Sequence, residues 1–273
     1  MSFMSKLPIA WLTKLQASID QPPLTSRAPL LWADQPIGSV AAQAFAAFVA
    51  QSGVSNVVRF GSEPLPAWHL LGEPSAALQI LANTMRQNGY AQVARLWRNE
   101  QLAVHSASRA EIATVERGAV RALGISTHGV HLHGYTPGNR LWIQQRALDK
   151  KTHPGFWDTL MGGMVSAGDS LASALERETM EEASLRLEQV QDLRHMGSFT
   201  MRMPNEPDNG LEYVVERIDW YECLVPLTVN PVNTDGEVQQ FKLVSPEELC
   251  VMLSGGLFTT EAAMILGQWM ADH

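Results

Sequence analysis

Between Gly162 and Leu185 the chain sets two adjacent glycines, a short loop, and then a segment with helical spacing that carries three glutamates beside its apolar residues. A helix turns through roughly 100° per residue. Leu171, Ala174 and Leu175 therefore share one stripe, roughly 120° wide, with Glu178, Glu181 and Glu182. The first half of the stripe is apolar, as a core-facing stripe must be. The second half is carboxylate. Like charges at i, i+3 and i+4 repel by some tenths of a kcal/mol per pair. They also lie towards the negative end of the helix dipole, which disfavours anions. A hard divalent cation reverses the sign of all these contributions, and Mg²⁺ favours a few carboxylates together with water and phosphate oxygens. The plain alternative is a solvated acidic face. The flanking residues favour a site: Gly162 and Gly163 permit close approach of backbone to a ligand, and Arg177 stands where it can orient or neutralise Glu178.

The same stretch begins GDSL, which makes Ser170 a candidate esterase nucleophile. An activated serine needs a positioned base and oxyanion donors. A serine at the first residue of a helix is instead expected as its cap, and that reading is preferred.

Charge is unevenly spread over the 273 residues. Residues 1–120 hold nine Lys/Arg against seven Asp/Glu, whereas residues 121–273 hold eleven against twenty-one. The acidic half argues against a track for nucleic-acid phosphates and for carboxylates that require cations. Two cysteines, Cys223 and Cys250, form no metal-binding or disulfide spacing, so a cytoplasmic protein with reduced thiols is expected. No apolar run is long enough for a signal-peptide core or a membrane span, so no membrane partner is expected.

Helical patches are expected near residues 8–20, 38–52, 74–88 and 108–123. SNVVRFG reads as a strand and ARLWRNEQLAVH as a hairpin turning at Asn99-Glu100. From about residue 125 the texture changes. VHLHGY and RLWIQQR read as strands separated by the turn TPGN, and HMGSFTMRM, LEYVVERIDWYECLV and EVQQFKLV as strands after the glutamate-bearing helix. SPEELCVMLSG opens a helix with Ser245 as cap, Pro246 at its first position and Glu248 closing a capping box. The pattern divides the chain into a smaller α+β domain at 1–122 and an α/β domain at 123–273 with a mixed sheet covered on both faces.

Gly163, five residues, Asp169, seven residues, then Arg177-Glu178-Thr179-Met180-Glu181-Glu182-Ala183-Ser184-Leu185 matches over twenty-three positions the spacing of the Nudix box. The C-terminal half thus resembles the Nudix hydrolases. Asp169 stands for a Glu, Thr179 for an aliphatic residue and Ser184 for the Gly that ends the helix. The resemblance implies a Nudix-type α/β/α sandwich and Mg²⁺ (or Mn²⁺) held by Gly163, Glu178, Glu181 and Glu182. It implies hydrolysis of a diphosphate bond, with Glu178, Glu182 and Arg177 as catalytic residues; a carboxylate takes a proton from the attacking water. A further catalytic carboxylate is expected after the box. Glu237 is the first candidate, with Glu212 and Glu216 behind it. Arg146, Lys150 and Gly162 are the expected substrate-binding residues. LWRNE, VERGAV, GVHLHGY, LWIQQRALDKKTHPGFWDTLMGG and DGEV are similar to the Nudix subfamily related to fungal thiamine pyrophosphokinases, which carries its own N-terminal domain. That implies a small organic diphosphate as partner, such as thiamine diphosphate or damaged analogues, cleaved to the monophosphate, and substrate recognition as a role for the N-terminal domain. Two rivals remain. One is a proton-transferring enzyme like the isopentenyl-diphosphate isomerases; the other is a non-catalytic Nudix-fold sensor.

Overall fold

The structure, a computed structural model, describes residues 9–61, 66–205, 210–234 and 236–272. After α1 (Ile9–Ser18), β1 (Arg27–Trp32) and β2 (Gln35–Ala41) form an antiparallel hairpin. The hairpin leads into α2 (Ala42–Ser52), β3 (Val57–Phe60), β4 (Ala67–Leu70) and α3 (Pro74–Gln87). The four strands make a sheet in the order β2-β1-β4-β3. Residues 38–41 extend the strand and are not helical as expected. The cause is tertiary: a Cβ on Gly38 would lie 2.4 Å from the Leu123 carbonyl oxygen, and Ser39 N donates to that oxygen at 2.8 Å. Only an extended glycine lets the two backbones meet so closely.

Two further expectations are corrected here. Val93–Leu96 forms a single helical turn, α4, so ARLWRNEQLAVH is no hairpin. Its second half is β5 (Gln101–His105), which pairs with β6 (Glu111–Glu116). The expected helix at 108–123 is thus strand first and a 3-10 turn at Arg117–Ala119 after it. Ile112, Thr114 and Val115 are β-branched and suit a pleated surface better than a helix.

The C-terminal half is built on one mixed sheet. Its strands are β7 (Thr127–Tyr135), β8 (Leu141–Arg146), β9 (Trp157–Asp158), β10 (Met161–Met164), β11 (Gln191–Pro204), β12 (Tyr213–Leu224) and β13 (Val238–Val244). The order is β11-β12-β7-β8-β13, with β10 on β7 and β9 on β8; β7 and β12 run parallel and the other pairs antiparallel. One face is covered by α5 (Leu171–Ala183), whose Ala174 and Leu175 pack with Val130, Leu132, Leu160 and Met161. The opposite face is covered by α6 (Pro246–Ser254) and α7 (Thr260–Asp272), where Leu249, Leu266 and Trp269 pack with Leu141, Ile143 and Val244. Each strand sends successive side chains to opposite layers. This is the expected α/β/α sandwich after an α+β segment. α1 lies on α7, so the first described helix packs against the last.

The caps follow the local sequence. Ser170 Oγ accepts from Ser173 N at 3.1 Å and caps α5; Ser245 Oγ accepts from Glu248 N at 3.2 Å and caps α6. The Glu248 carboxylate does not close the expected box; it accepts from Lys242 Nζ at 2.6 Å instead. Ser184 ends α5 in the left-handed region, at φ 52°. A residue with a Cβ is disfavoured there by about 1 kcal/mol relative to glycine; among the described residues its side chain makes an exposed hydrogen bond with Thr234 Oγ1 at 2.9 Å. Ser184→Gly is therefore expected to stabilise the protein, by up to about 1 kcal/mol. Denaturant melts of the two proteins measure the difference; a less stable variant would show that the Thr234 contact outweighs the strain.

Candidate active site

Arg177 organises the region. Its Nε and Nη2 donate to Asp169 Oδ2 at 3.1 and 2.8 Å, its Nη1 to Glu178 Oε1 at 2.8 Å and to Glu181 Oε2 at 3.2 Å, and its Nη2 also to the Met164 carbonyl at 3.2 Å. The shorter Asp169 thus spans to the guanidinium where the box has a Glu. Burial works against the charge of Arg177, but the hydrogen bonds to Asp169 and the Glu178 charge outweigh it and raise its pKa. The departure at Thr179 is equally well placed: the side chain is fully buried, and its hydroxyl donates to the Leu175 carbonyl at 2.6 Å.

The three box glutamates have different surroundings. Glu182 is buried, and its Oε2 accepts from Gln144 Nε2 at 2.8 Å and from Gly162 N at 3.1 Å. Burial pushes its pKa up to about 8 despite those donors. Glu178 lies against the backbone of Gly163: a Cβ there would fall 2.1 Å from its carboxyl carbon. Only glycine leaves room for that approach. Burial raises the Glu178 pKa too, against the pull of Arg177. Glu181 faces outward and is about half exposed (52%).

Of the candidates beyond the box, Glu237 forms an ion pair with Lys150. Burial would raise its pKa, but the Lys150 ammonium lowers it overall. Glu212 is buried and clamps the chain, accepting from Gln92 N at 3.1 Å and from Asn205 Nδ2. Glu216 stands closest to the glycines. A Cβ on Gly129 would lie 3.0 Å from Glu216 Oε1 and 3.7 Å from the Gly163 carbonyl oxygen. Burial and the facing Glu261 raise the Glu216 pKa. The buried Oε2 of Glu261 lacks a hydrogen-bond partner among the described residues. Arg146 borders the same cleft as Gly162, Gly163, Glu216 and Glu261, but its guanidinium is tied to the Thr152 carbonyl at 3.2 Å and lies 3.5 Å from Asp158. Gln144 and Glu261 carry no local sequence signal for this site; only the fold brings them to it.

These groups fit a hard divalent cation. All the donors are oxygens, and burial raises the pKa of Glu178 and Glu182, a shift that a bound cation would oppose. Among the described residues no three His, Cys, Asp or Glu side chains form a ready cage. The Gly163 carbonyl, water and phosphate oxygens would complete the set. Ser170, by contrast, is spent on capping α5, and a nucleophile's activating base is not among its contacts.

Residues 131–263 match the family model of the NUDIX domain. This half of the chain is a Nudix domain. Nudix hydrolase 20, chloroplastic, of Arabidopsis thaliana is 26% identical over 75% of this chain and 55% of its own length. An isopentenyl-diphosphate Delta-isomerase of Corynebacterium glutamicum is 25% identical over 50% of this chain and 68% of its own. The chain spans about half the length of the first curated relatives it matches, 55–56%. The crystal structure of DR0079 from Deinococcus radiodurans superimposes with a TM-score of 0.50 at 20% identity, covering 63% of this chain and 99% of that one. That likeness bears on the fold alone. Among the described residues no helix is long and apolar enough to cross a membrane.

The buried glutamates of the Nudix domain tie stability to pH. Without a divalent cation, folded Glu182 keeps its proton to about pH 8, whereas an unfolded glutamate loses it near pH ~4.3. Its contribution to stability is complete below the lower value and is lost as pH rises through the higher one. Glu178 and Glu216 act in the same sense. The melting temperature of the metal-free protein should therefore fall between about pH 5 and 8, and Glu182→Gln should flatten part of that fall. Calorimetry across this range is the check. A variant whose profile parallels the parent's would mean that Glu182 ionises freely in the folded state.

Proposed function

We propose that the chain is a divalent-metal-dependent hydrolase that cleaves the diphosphate bond of a small organic diphosphate. The observation that carries this reading is the set of buried, mutually repelling carboxylates gathered at Gly163 and tied down by Arg177, within a Nudix domain. Mg²⁺ or Mn²⁺ would be held by Glu178, Glu181 and Glu182 with the Gly163 carbonyl, and would neutralise the diphosphate charge. Glu178 or Glu182, ionised beside the cation, takes the proton of the attacking water; burial raises the pKa of both carboxyls, which strengthens them as proton acceptors. Arg177 fixes the Glu178 carboxylate in one orientation. Arg146, Lys150 and Gly162 face the phosphates, and Glu237 is held by Lys150 as a further carboxylate. The similarity to the thiamine pyrophosphokinase-related subfamily points to thiamine diphosphate or its damaged analogues, cleaved to the monophosphate. We place the division of the chain at 122/123. Both cysteines are buried and unbridged, which suits a reducing compartment such as the cytoplasm.

The rivals have less support. An isomerase of this fold needs a cysteine at the reacting carbon. Cys223 is fully buried, and burial pushes its thiol up to about 12; neither cysteine borders the cleft. A lapsed sensor would show the box departures as damage, yet Asp169 keeps its bond to Arg177 and Thr179 is internally satisfied.

Glu182→Gln is expected to lower turnover at least ~100-fold while the protein still melts cooperatively. Wild-type turnover in that variant would remove Glu182 from the chemistry. The assay is release of phosphate monoester from thiamine diphosphate, its oxidised analogues, ADP-ribose and nucleoside diphosphates, with and without Mg²⁺. Metal-dependent cleavage confined to the thiamine compounds would support the finer reading. Cleavage of the others alone would discard it, and no cleavage of any would overturn the hydrolase.

A further inference from the structure

We infer that the N-terminal half supplies part of the substrate site: Arg121 binds the diphosphate, and a recess beside it, walled in part by aliphatic side chains, receives the substrate's organic group. The inference rests on the reading of the Nudix domain as a diphosphate hydrolase.

Three hollows adjoin at the seam between the two halves and form one cleft. Arg121 and Thr152 border all three; Arg117, Met164 and Glu216 border two. One end of the cleft is the glycine–carboxylate region, with Gly162, Gly163, Glu216 and Glu261 in its wall. Facing them are Arg117 and Arg121 from the other half of the chain. The next hollow has a mixed wall, in which Leu96, Val120 and Ile125 stand beside Arg98, Thr127 and Glu216.

The cations of the cleft are not equivalent. Arg146 is held by Thr152 and Asp158. Arg117 is paired with Glu100 at 2.7 Å, and Glu100 also accepts from Ser166 Oγ at 2.8 Å, which anchors it to the loop before α5. Arg121 is only partly exposed, and its guanidinium makes a single long hydrogen bond, 3.4 Å to Asn205 Oδ1, with no carboxylate partner among the described residues. Glu216 borders the same cleft and feels the Arg121 charge, but among the described residues no ion pair joins the two, so the arginine keeps N–H groups that phosphate oxygens could take. Its planar fork matches phosphate oxygens in pairs, so it suits a diphosphate better than a lone carboxylate. Its backbone is fixed as well, because Tyr213 N donates to the Arg121 carbonyl at 2.9 Å. Arg121 therefore stands on a rigid support, with donors unused among the described residues, between the carboxylates and the recess. A ligand with its diphosphate at Arg121 would place an attached group among Leu96, Val120, Ile125 and Tyr213. The aliphatic part of that wall favours a ligand with an attached apolar or aromatic group over a bare inorganic diphosphate.

The test is titration calorimetry on the full chain in Mg²⁺, with two non-hydrolysable probes: methylenediphosphonate and its benzyl monoester. The benzyl ester is expected to bind the parent protein more tightly than methylenediphosphonate. Arg121→Gln should weaken both roughly tenfold or more, the usual scale of a lost charge-assisted hydrogen bond. Leu96→Gln should reduce the advantage of the benzyl ester and leave methylenediphosphonate unchanged. Thermal melts establish that each variant is folded, and Arg121→Lys, which keeps the charge and loses the fork, should recover only part of the affinity. Unchanged affinity in Arg121→Gln would overturn the phosphate role, and equal binding of the two probes by the parent would overturn the recess. If the probes bind as expected but the parent hydrolyses no diphosphate, the binding site stands and the hydrolase reading falls.

Discussion

One guanidinium holds this site together. Arg177 reaches back to Asp169 and Met164 in the loop and forward to Glu178 and Glu181 on its own helix. Without it, Glu178 would sit beside other carboxylates with little to oppose their repulsion, and the loop from Met164 to Ser170 would lose its tie to α5. The cation does more than offset charge. Bonded to several oxygens at once, it fixes the Glu178 carboxyl against Gly163, where no side chain larger than hydrogen fits. The position of Glu178 thus depends on a glycine on one side and an arginine on the other.

Glu182 is handled differently. It is buried without a cation in direct contact and is held by two N–H donors, from Gln144 and Gly162. Such an environment favours a neutral acid, which is why its pKa rises; Glu181, one residue earlier, is half exposed. Three adjacent glutamates of like chemistry therefore acquire three environments from one helix. A divalent cation acting on them would draw on stability that burial has withheld from the ionised forms.

The two halves of the chain meet through backbone as well as side chains. Tyr213 donates to Arg121, Ala167 to Gln101 and Arg202 to Ile19, while α1 lies on α7. Hydrogen bonds between main chains fix register more firmly than long side chains do, because little rotamer freedom is left to lose. The cleft at the seam is consequently a built feature, with one wall from each half.

Much of the Nudix domain was legible in the sequence because its signals are local. The 3.6-residue period set α5 and placed three glutamates on one stripe, Ser170 and Ser245 marked helix starts, and alternation marked the strands that flank the box. Signals of the same kind misread the N-terminal half. Residues 38–41 became strand because Leu123, distant in sequence, offers backbone pairing that a local pattern does not register, and residues 111–116 became strand by closing a hairpin on β5. The site shows the same divide. Sequence alone determined the glycine pair, the arginine and the box glutamates, since their spacing is fixed by one loop and one helix. Tertiary structure decided that Glu237 pairs with Lys150 while Glu216 stands by the Gly163 carbonyl, and that Arg121, more than forty residues before the box, faces them. Those outcomes depend on which strands pair and how two halves dock, and no spacing along the chain encodes that distance.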